Sequence, residues 1–135
     1  MEILVGYGVG YKLRKFIENA KKRIVVVTPF ISRHYIDLIC SKAAEGIRTT
    51  IVVDCVHALD LCLSTCSEVE IRCLDELHAK MYMLDNVFVL GSLNLTDQGI
   101  ERNFEVAVVF SDDSCFEQLR KAIDVVLELA KRVHC

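Results

Sequence analysis

Leu13, Phe16, Ile17 and Ala20 recur at i, i+3, i+4 and i+7, with Lys12, Arg14, Lys15, Lys21 and Lys22 off that stripe. This spacing predicts an amphipathic helix lying on a core. Directly after it, Arg23 to Thr28 is a β-branched run that is apolar on both faces and closes at the only proline, Pro29. Such a run predicts a buried central strand. Ser32 is placed to cap a second helix whose apolar set, Ile36, Ile39, Cys40, Ala43 and Ala44, holds the helical period until Gly46 stops it. Ile47 to Asp54 predicts a further strand, so the order strand, helix, strand gives a βαβ unit with parallel strands and a right-handed crossover.

The stretch Cys55 to Ser67 is expected to hold a short helix with Leu59 and Leu63 inward, followed by a strand in which Val69, Ile71 and Cys73 alternate with Glu70 and Arg72. His78 to Leu84 and Val87 to Leu90 predict two short strands joined at Asp85-Asn86, a turn-forming pair that suits a tight hairpin. Asn103 to Phe110 predicts another strand. Ser114 and Glu117 then form a capping box for a last helix with Phe116, Leu119, Ile123, Val126, Leu127 and Ala130 inward. With no repeat or linker in view, residues 1–135 are expected to make one α/β domain, a mixed, mostly parallel sheet flanked by helices on both sides.

Composition changes little in this picture. No apolar run approaches the roughly 20 residues of a membrane span, and the N-terminus lacks the order of a signal peptide, so the chain is expected to be cytoplasmic. A net charge of -3 argues against a uniformly basic coat, and the run Lys12, Arg14, Lys15, Lys21, Lys22, Arg23 is most simply the wet face of its helix, with holding a nucleic-acid backbone as the alternative. Seven cysteines cannot all pair within one chain. Cys40 and Cys73 occupy core-type positions as small hydrophobes. Disulfides stay open, being unusual in a cytosolic protein outside hyperthermophiles. Cys55, His57, Cys62 and Cys66 lie close together, but the paired C-x-x-C spacing of a strong zinc site is missing, and no metal or cofactor is expected.

The chemistry concentrates in the hairpin. His78 and Lys80 stand two positions apart, so on a regular strand they project from one face. There an imidazole can attack phosphorus while an ammonium holds the anionic oxygens, with no metal needed. Gly91-Ser92-Leu93-Asn94 supplies a close backbone approach and, in Ser92 and Asn94, two hydrogen-bonding side chains for phosphate. Asn103 and Glu105 share a later strand face, from which Glu105 is expected to accept the other ring N–H of His78 and orient it.

His78-x-Lys80, four residues, Asp85, then Gly91-Ser92-x-Asn94 resembles the H-x-K-x4-D-x6-G-S-x-N signature of the phospholipase D superfamily. One spacing departs from it: five residues separate Asp85 from Gly91 where the family typically has six, so Asp85 is assigned a supporting role with Asn103. The stretch Gly99 to Glu105 is similar to the family's approach to its glutamate, and the resemblance spans essentially the whole chain. It implies a phosphohistidine intermediate on one motif histidine and leaving-group protonation by a second. This chain has one such motif, since His34, His57 and His134 have no lysine two residues on. Attack and protonation fall on opposite sides of phosphorus, so a single His78 cannot do both. A homodimer bringing two copies of His78 together is therefore expected, because a two-fold interface presents the same patch twice. The resemblance to small single-motif members implies an endonuclease acting on nucleic acid. A lipid phosphodiesterase or phosphatidyl transferase, and a non-catalytic nucleic-acid-binding dimerisation module, are the alternatives.

Overall fold

The β-branched runs form the strands expected of them, and the first helix keeps its stripe. The computed structural model describes residues 1–111 and 114–135. In chain order the elements are β1 (Glu2–Tyr7), α1 (Gly10–Asn19), β2 (Arg23–Val27), α2 (Arg33–Ala44) and β3 (Arg48–Asp54). A 3-10 turn (Cys55–His57) then leads to α3 (Ala58–Ser64), β4 (Glu70–Leu74), β5 (Met81–Leu84) and β6 (Val87–Gly91). A π-helical turn (Gln98–Arg102), β7 (Phe104–Ser111), α4 (Phe116–Leu129) and β8 (Lys131–Arg132) complete the fold.

The eight strands form one mixed sheet, ordered β1-β7-β6-β5-β2-β3-β4-β8. The predicted βαβ unit is present, and its strands β2, β3 and β4 run parallel. The expectation of a mostly parallel sheet is corrected, because β5, β6, β7, β1 and β8 all join antiparallel to their neighbours. The physical reason is connection length: a two-residue turn between β5 and β6 can only reverse the chain, whereas parallel pairing needs a crossover helix.

Helices lie on both sides. Ile24, Val26, Ile51 and Val53 face a core built with Leu13 and Ile17 of α1, Ile36 and Ile39 of α2 and Leu61 of α3. The alternate residues Val25, Val27, Val52, Met83 and Phe88 face Leu119 and Ile123 of α4. β2 and β3 are thus apolar on both faces because both faces are covered.

Four expectations change in detail. Leu59 and Leu63 of α3 are 71% and 80% exposed, and Ala58 and Leu61 are the buried pair instead. Ser32 occupies the N-cap position of α2 without a side-chain capping bond, and its Oγ accepts from the backbone of Asp97 at 3.1 Å. The Ser114/Glu117 capping box does not form, since α4 starts later with Cys115 at its N-cap. Finally, Cys40 and Cys73 are not free core thiols. Cys40–Cys66, Cys55–Cys73 and Cys62–Cys135 are bridged, which leaves Cys115 unpaired. The zinc reading of Cys55, His57, Cys62 and Cys66 falls with this, because each of those thiols is already committed to a different element.

Candidate active site

β2 ends just before Pro29, which has no N–H to continue a ladder, and β6 turns away after Gly91 so that the Ser92 N–H reaches the Val106 carbonyl at 3.0 Å. Strand β5 therefore begins at Met81, paired with Val27 on one side and Leu90 on the other. His78 and Lys80 fall just outside it, in chain without ladder partners, rather than on a strand as expected. Their side chains still meet: Lys80 Nζ lies 3.4 Å from His78 Nε2. An ammonium has only protons to give, so the imidazole nitrogen facing it must present a lone pair. His78 is exposed at this point, which leaves a nucleophilic nitrogen and a positive charge open to an incoming phosphate.

A buried polar network fixes the ground beneath that pair. The Tyr82 hydroxyl, two residues after Lys80, donates to the Leu93 carbonyl at 2.7 Å. Burial, opposed by a bond with Thr28, pushes this phenol far above its ordinary value, so it stays a donor at any working pH. Thr28 Oγ1 donates to the Phe30 carbonyl at 2.9 Å and accepts from the Leu95 N–H at 3.3 Å. The end of β2, the start of β5 and the Ser92–Asn94 stretch are thereby tied together. Thr28 and Tyr82 were not among the residues singled out from sequence; their one signal is a polar group at a position whose neighbours are wholly apolar.

Ser92 and Glu105 form a second pair, with the serine hydroxyl donating to Glu105 Oε1 at 2.9 Å and accepting from the Val106 N–H at 3.1 Å. Glu105 is only 9% exposed. It takes its hydrogen bond from Ser92 rather than from His78, so within one subunit it positions the Ser92 hydroxyl, not the imidazole. Asn94 Oδ1 is buried with no partner among the described residues, an unused acceptor at the site. Asn103 ends the π-helical turn and sits ahead of β7, so it does not share a strand face with Glu105; its Oδ1 accepts from Gln98 Nε2 at 3.2 Å. Gly91 is needed for the close approach of β6 to β7, since a Cβ there would lie 2.2 Å from the Val106 carbonyl oxygen.

Asp85 lies at the other end of the hairpin. It adopts φ 57° in the two-residue turn, and its carboxylate accepts the backbone N–H groups of Lys21, Lys22 and Arg23 at 2.8, 2.8 and 3.0 Å. The basic stretch Lys21–Arg23 is thus at the end of the β5–β6 hairpin remote from His78. Lys12 and Arg14 pair with Glu2 and Glu18, as a solvated helix face would. Burial alone would raise the Asp85 carboxyl, but the three N–H bonds from Arg23, Lys21 and Lys22 prevail and hold it below the usual range. A lowered carboxyl stabilises the fold fully above its ordinary value near pH 4, and that contribution fades as pH falls through the lowered one. Asp85→Ala is accordingly expected to cost about 2 kcal/mol at pH 7. In urea unfolding, the gap between variant and parent should narrow in acid to the pH-independent cost of alanine at this positive φ; a constant gap down to pH 2 would contradict the assignment.

One other cluster could hold a cation. His34 Nδ1 is 3.3 Å from Asp97 Oδ1, and with Glu101 these ligand atoms lie within 4.8 Å of one another. None of them belongs to the His78–Lys80 pair.

Residues 13–127 match a family model described as cardiolipin synthase, PLD-like domain. The chain belongs to the phospholipase D superfamily. This phospholipase D-like domain is 26% identical over 136 residues to cardiolipin synthase 1 of Staphylococcus epidermidis, a match covering 90% of the chain but only 28% of that relative's length. Its fold is that of the phospholipase D family member Nuc from Salmonella typhimurium, with a TM-score of 0.83 and 19% identity over 99% of both chains. NucT from Helicobacter pylori is similar over 98% of both chains, with a TM-score of 0.80 and 18% identity.

Proposed function

We propose that this phospholipase D-like domain, folded as one unit over residues 1–135, is a metal-independent phosphodiesterase that works as a homodimer and cleaves nucleic acid. The observation that carries the reading is the exposed His78–Lys80 contact at 3.4 Å. His78 Nε2 attacks phosphorus and a P–N bond forms as the bond to the leaving oxygen breaks. That oxygen takes its proton from His78 of the partner subunit, on the opposite side of an in-line displacement. The same partner imidazole then takes a proton from water, which attacks phosphorus and releases His78. Lys80 and Asn94 hold the non-bridging oxygens, and Glu105 aligns Ser92 beside them.

The surface that would join two copies borders the site. α4 covers the middle of its side of the sheet and leaves the β1/β7 end bare. There Val5 opposes Val106, Tyr7 opposes Phe104, and Ile3 opposes Val108. Directly opposed residues share a face. Ile3, Val5, Tyr7, Phe104 and Val106 are 61%, 59%, 76%, 58% and 43% exposed. An apolar strip of this kind is what an interface between copies needs, and it is continuous with the site because Val106 bonds directly to Ser92. Val5→Asp should weaken the dimer by roughly a hundred-fold or more, since it buries an unpaired charge twice. Sedimentation should show monomers, with activity returning only at high protein concentration; a fully active monomer would contradict the dimer.

Nucleic acid is favoured as substrate because the chain carries a single motif, as do the small members of the superfamily that its signature resembles. Among the described residues, no helix is long and apolar enough to cross a membrane. The family description supports a second reading, a lipid phosphodiesterase or phosphatidyl transferase. Assays in EDTA with single-stranded DNA and with phosphatidylglycerol vesicles separate them. Cleavage of DNA is expected; turnover of lipid alone would favour the second reading, and DNA binding without cleavage would make the chain a non-catalytic module. We also place the chain in the cytoplasm, a compartment where three disulfides are unusual outside hyperthermophiles.

A further inference from the structure

Beside the catalytic stretch lies an aromatic cavity that the proposed chemistry does not use. Phe30 follows Pro29 at the end of β2 and is 45% exposed, although it is held firmly. Its carbonyl accepts from Thr28 Oγ1, the next residue forms a bridge with Leu95, and the Ser32 N–H reaches the Leu95 carbonyl at 3.1 Å. Leu95 directly follows Asn94, so the loop carrying Phe30 is wired to the phosphate wall. On its other side Phe30 meets His57 edge to face, with ring centroids 5.1 Å apart and planes at 68°. His57 is itself fixed, because Cys55 and Cys62 on either side of it are both bridged.

The contacting rings form part of the lining of a cavity of about 260 Å³, with Ile36 and Leu61 in its apolar wall and Arg33 and Asp60 among its polar lining. It is smaller than the roughly 300–1,000 Å³ of pockets that take drug-sized molecules, which suits one planar ring system rather than a whole lipid. An acyl chain has no hydrogen-bonding group to offer Arg33 and Asp60 at the cavity's edge. A nucleobase offers a flat face to the aromatic rings and a polar edge to those side chains. Arg33 pairs with Asp37, at 3.3 Å and with both side chains well exposed. Such a pair contributes little and leaves the guanidinium able to turn toward a phosphate.

We infer that the Phe30–His57 cavity is a subsite for one unpaired base flanking the scissile phosphate, an inference that rests on the nucleic-acid reading. It makes the enzyme selective for strands whose bases are free to leave their stack, since a paired base cannot enter.

The test is equilibrium binding of a short oligothymidylate, and of the same deoxyribose-phosphate backbone without bases, in the His78→Ala background so that no strand is cut. Phe30→Ala should weaken binding of the oligothymidylate about ten-fold or more and leave binding of the abasic strand unchanged. Phe30→Trp should retain affinity and Phe30→Leu should lose it, which separates stacking from apolar contact and from misfolding. Equal weakening for both strands, or full affinity in Phe30→Leu, would overturn the subsite while leaving the nuclease reading intact. Failure of the parent protein to bind or cut any oligonucleotide, with capture by phosphatidylglycerol vesicles instead, would overturn both.

Discussion

Replacing His78 by alanine is expected to lower turnover of bis(p-nitrophenyl) phosphate by about 10⁴-fold or more, the scale seen when a covalent nucleophile is removed. Lys80 is 3.4 Å away, but as an ammonium it has no lone pair to offer. Lys80→Met should be milder, about 10²–10³-fold, because it removes charge stabilisation and leaves the attacking atom in place. A mixing experiment makes the result more exacting. If one reaction centre draws on two copies of His78, a dimer with one intact copy cannot supply nucleophile and acid together. Random mixing of equal amounts of parent and His78→Ala subunits should then leave about a quarter of the parent activity, since only dimers with both copies intact work. Activity falling in simple proportion to the parent fraction would mean independent sites and would sink the shared centre.

Reduction of the disulfides should have the largest effect on stability. Closing loops with sequence separations of 26, 18 and 73 is worth about 2–4 kcal/mol each in typical cases. Even with poor additivity, the total rivals the roughly 5–15 kcal/mol that holds a whole domain together. All three bridges end in one short segment, at Cys55, Cys62 and Cys66, and reach separately to β4, to Cys135 and to α2. A seven-residue helix cannot hold itself in water, so α3 should be the first element to detach. The expected result is a marked fall in the guanidinium midpoint under reductant, with hydrogen exchange rising first over residues 55–66. An unchanged midpoint in fully reduced protein would contradict this account.

What could be read from sequence follows the range of the forces involved. Arg23 to Thr28 and Ile47 to Asp54 were legible because β-branched runs specify buried strands locally. The Asp85-Asn86 turn was legible because its chemistry is confined to two residues. By contrast, β1 owes its existence to pairing with β7, and β8 consists of two charged residues, Lys131 and Arg132, set only by their contact with β4. Cysteine pairing was hidden for the same reason, since Cys66 finds Cys40 across α2 and Cys62 finds Cys135 near the far end of the chain. At the site, the i, i+2 spacing of His78 and Lys80 led to the right neighbours through a wrong intermediate, a regular strand that Pro29 does not allow. Glu105 was assigned to His78 because strand alternation gives a direction but no distance, and Ser92 lies nearer.

The strand order also constrains when activity can arise. Glu2 of β1 pairs with Val109 of β7, while every strand between them in sequence is laid down elsewhere in the sheet or must already be in place to receive it. Contacts so distant along the chain form slowly, because loop closure comes before any gain from pairing. The bare apolar strip exists only once β1 has docked on β7, so in the proposed homodimer assembly of two copies should be the last step of maturation. On that proposal a nascent or partly folded chain would carry His78 and Lys80 and yet be catalytically silent.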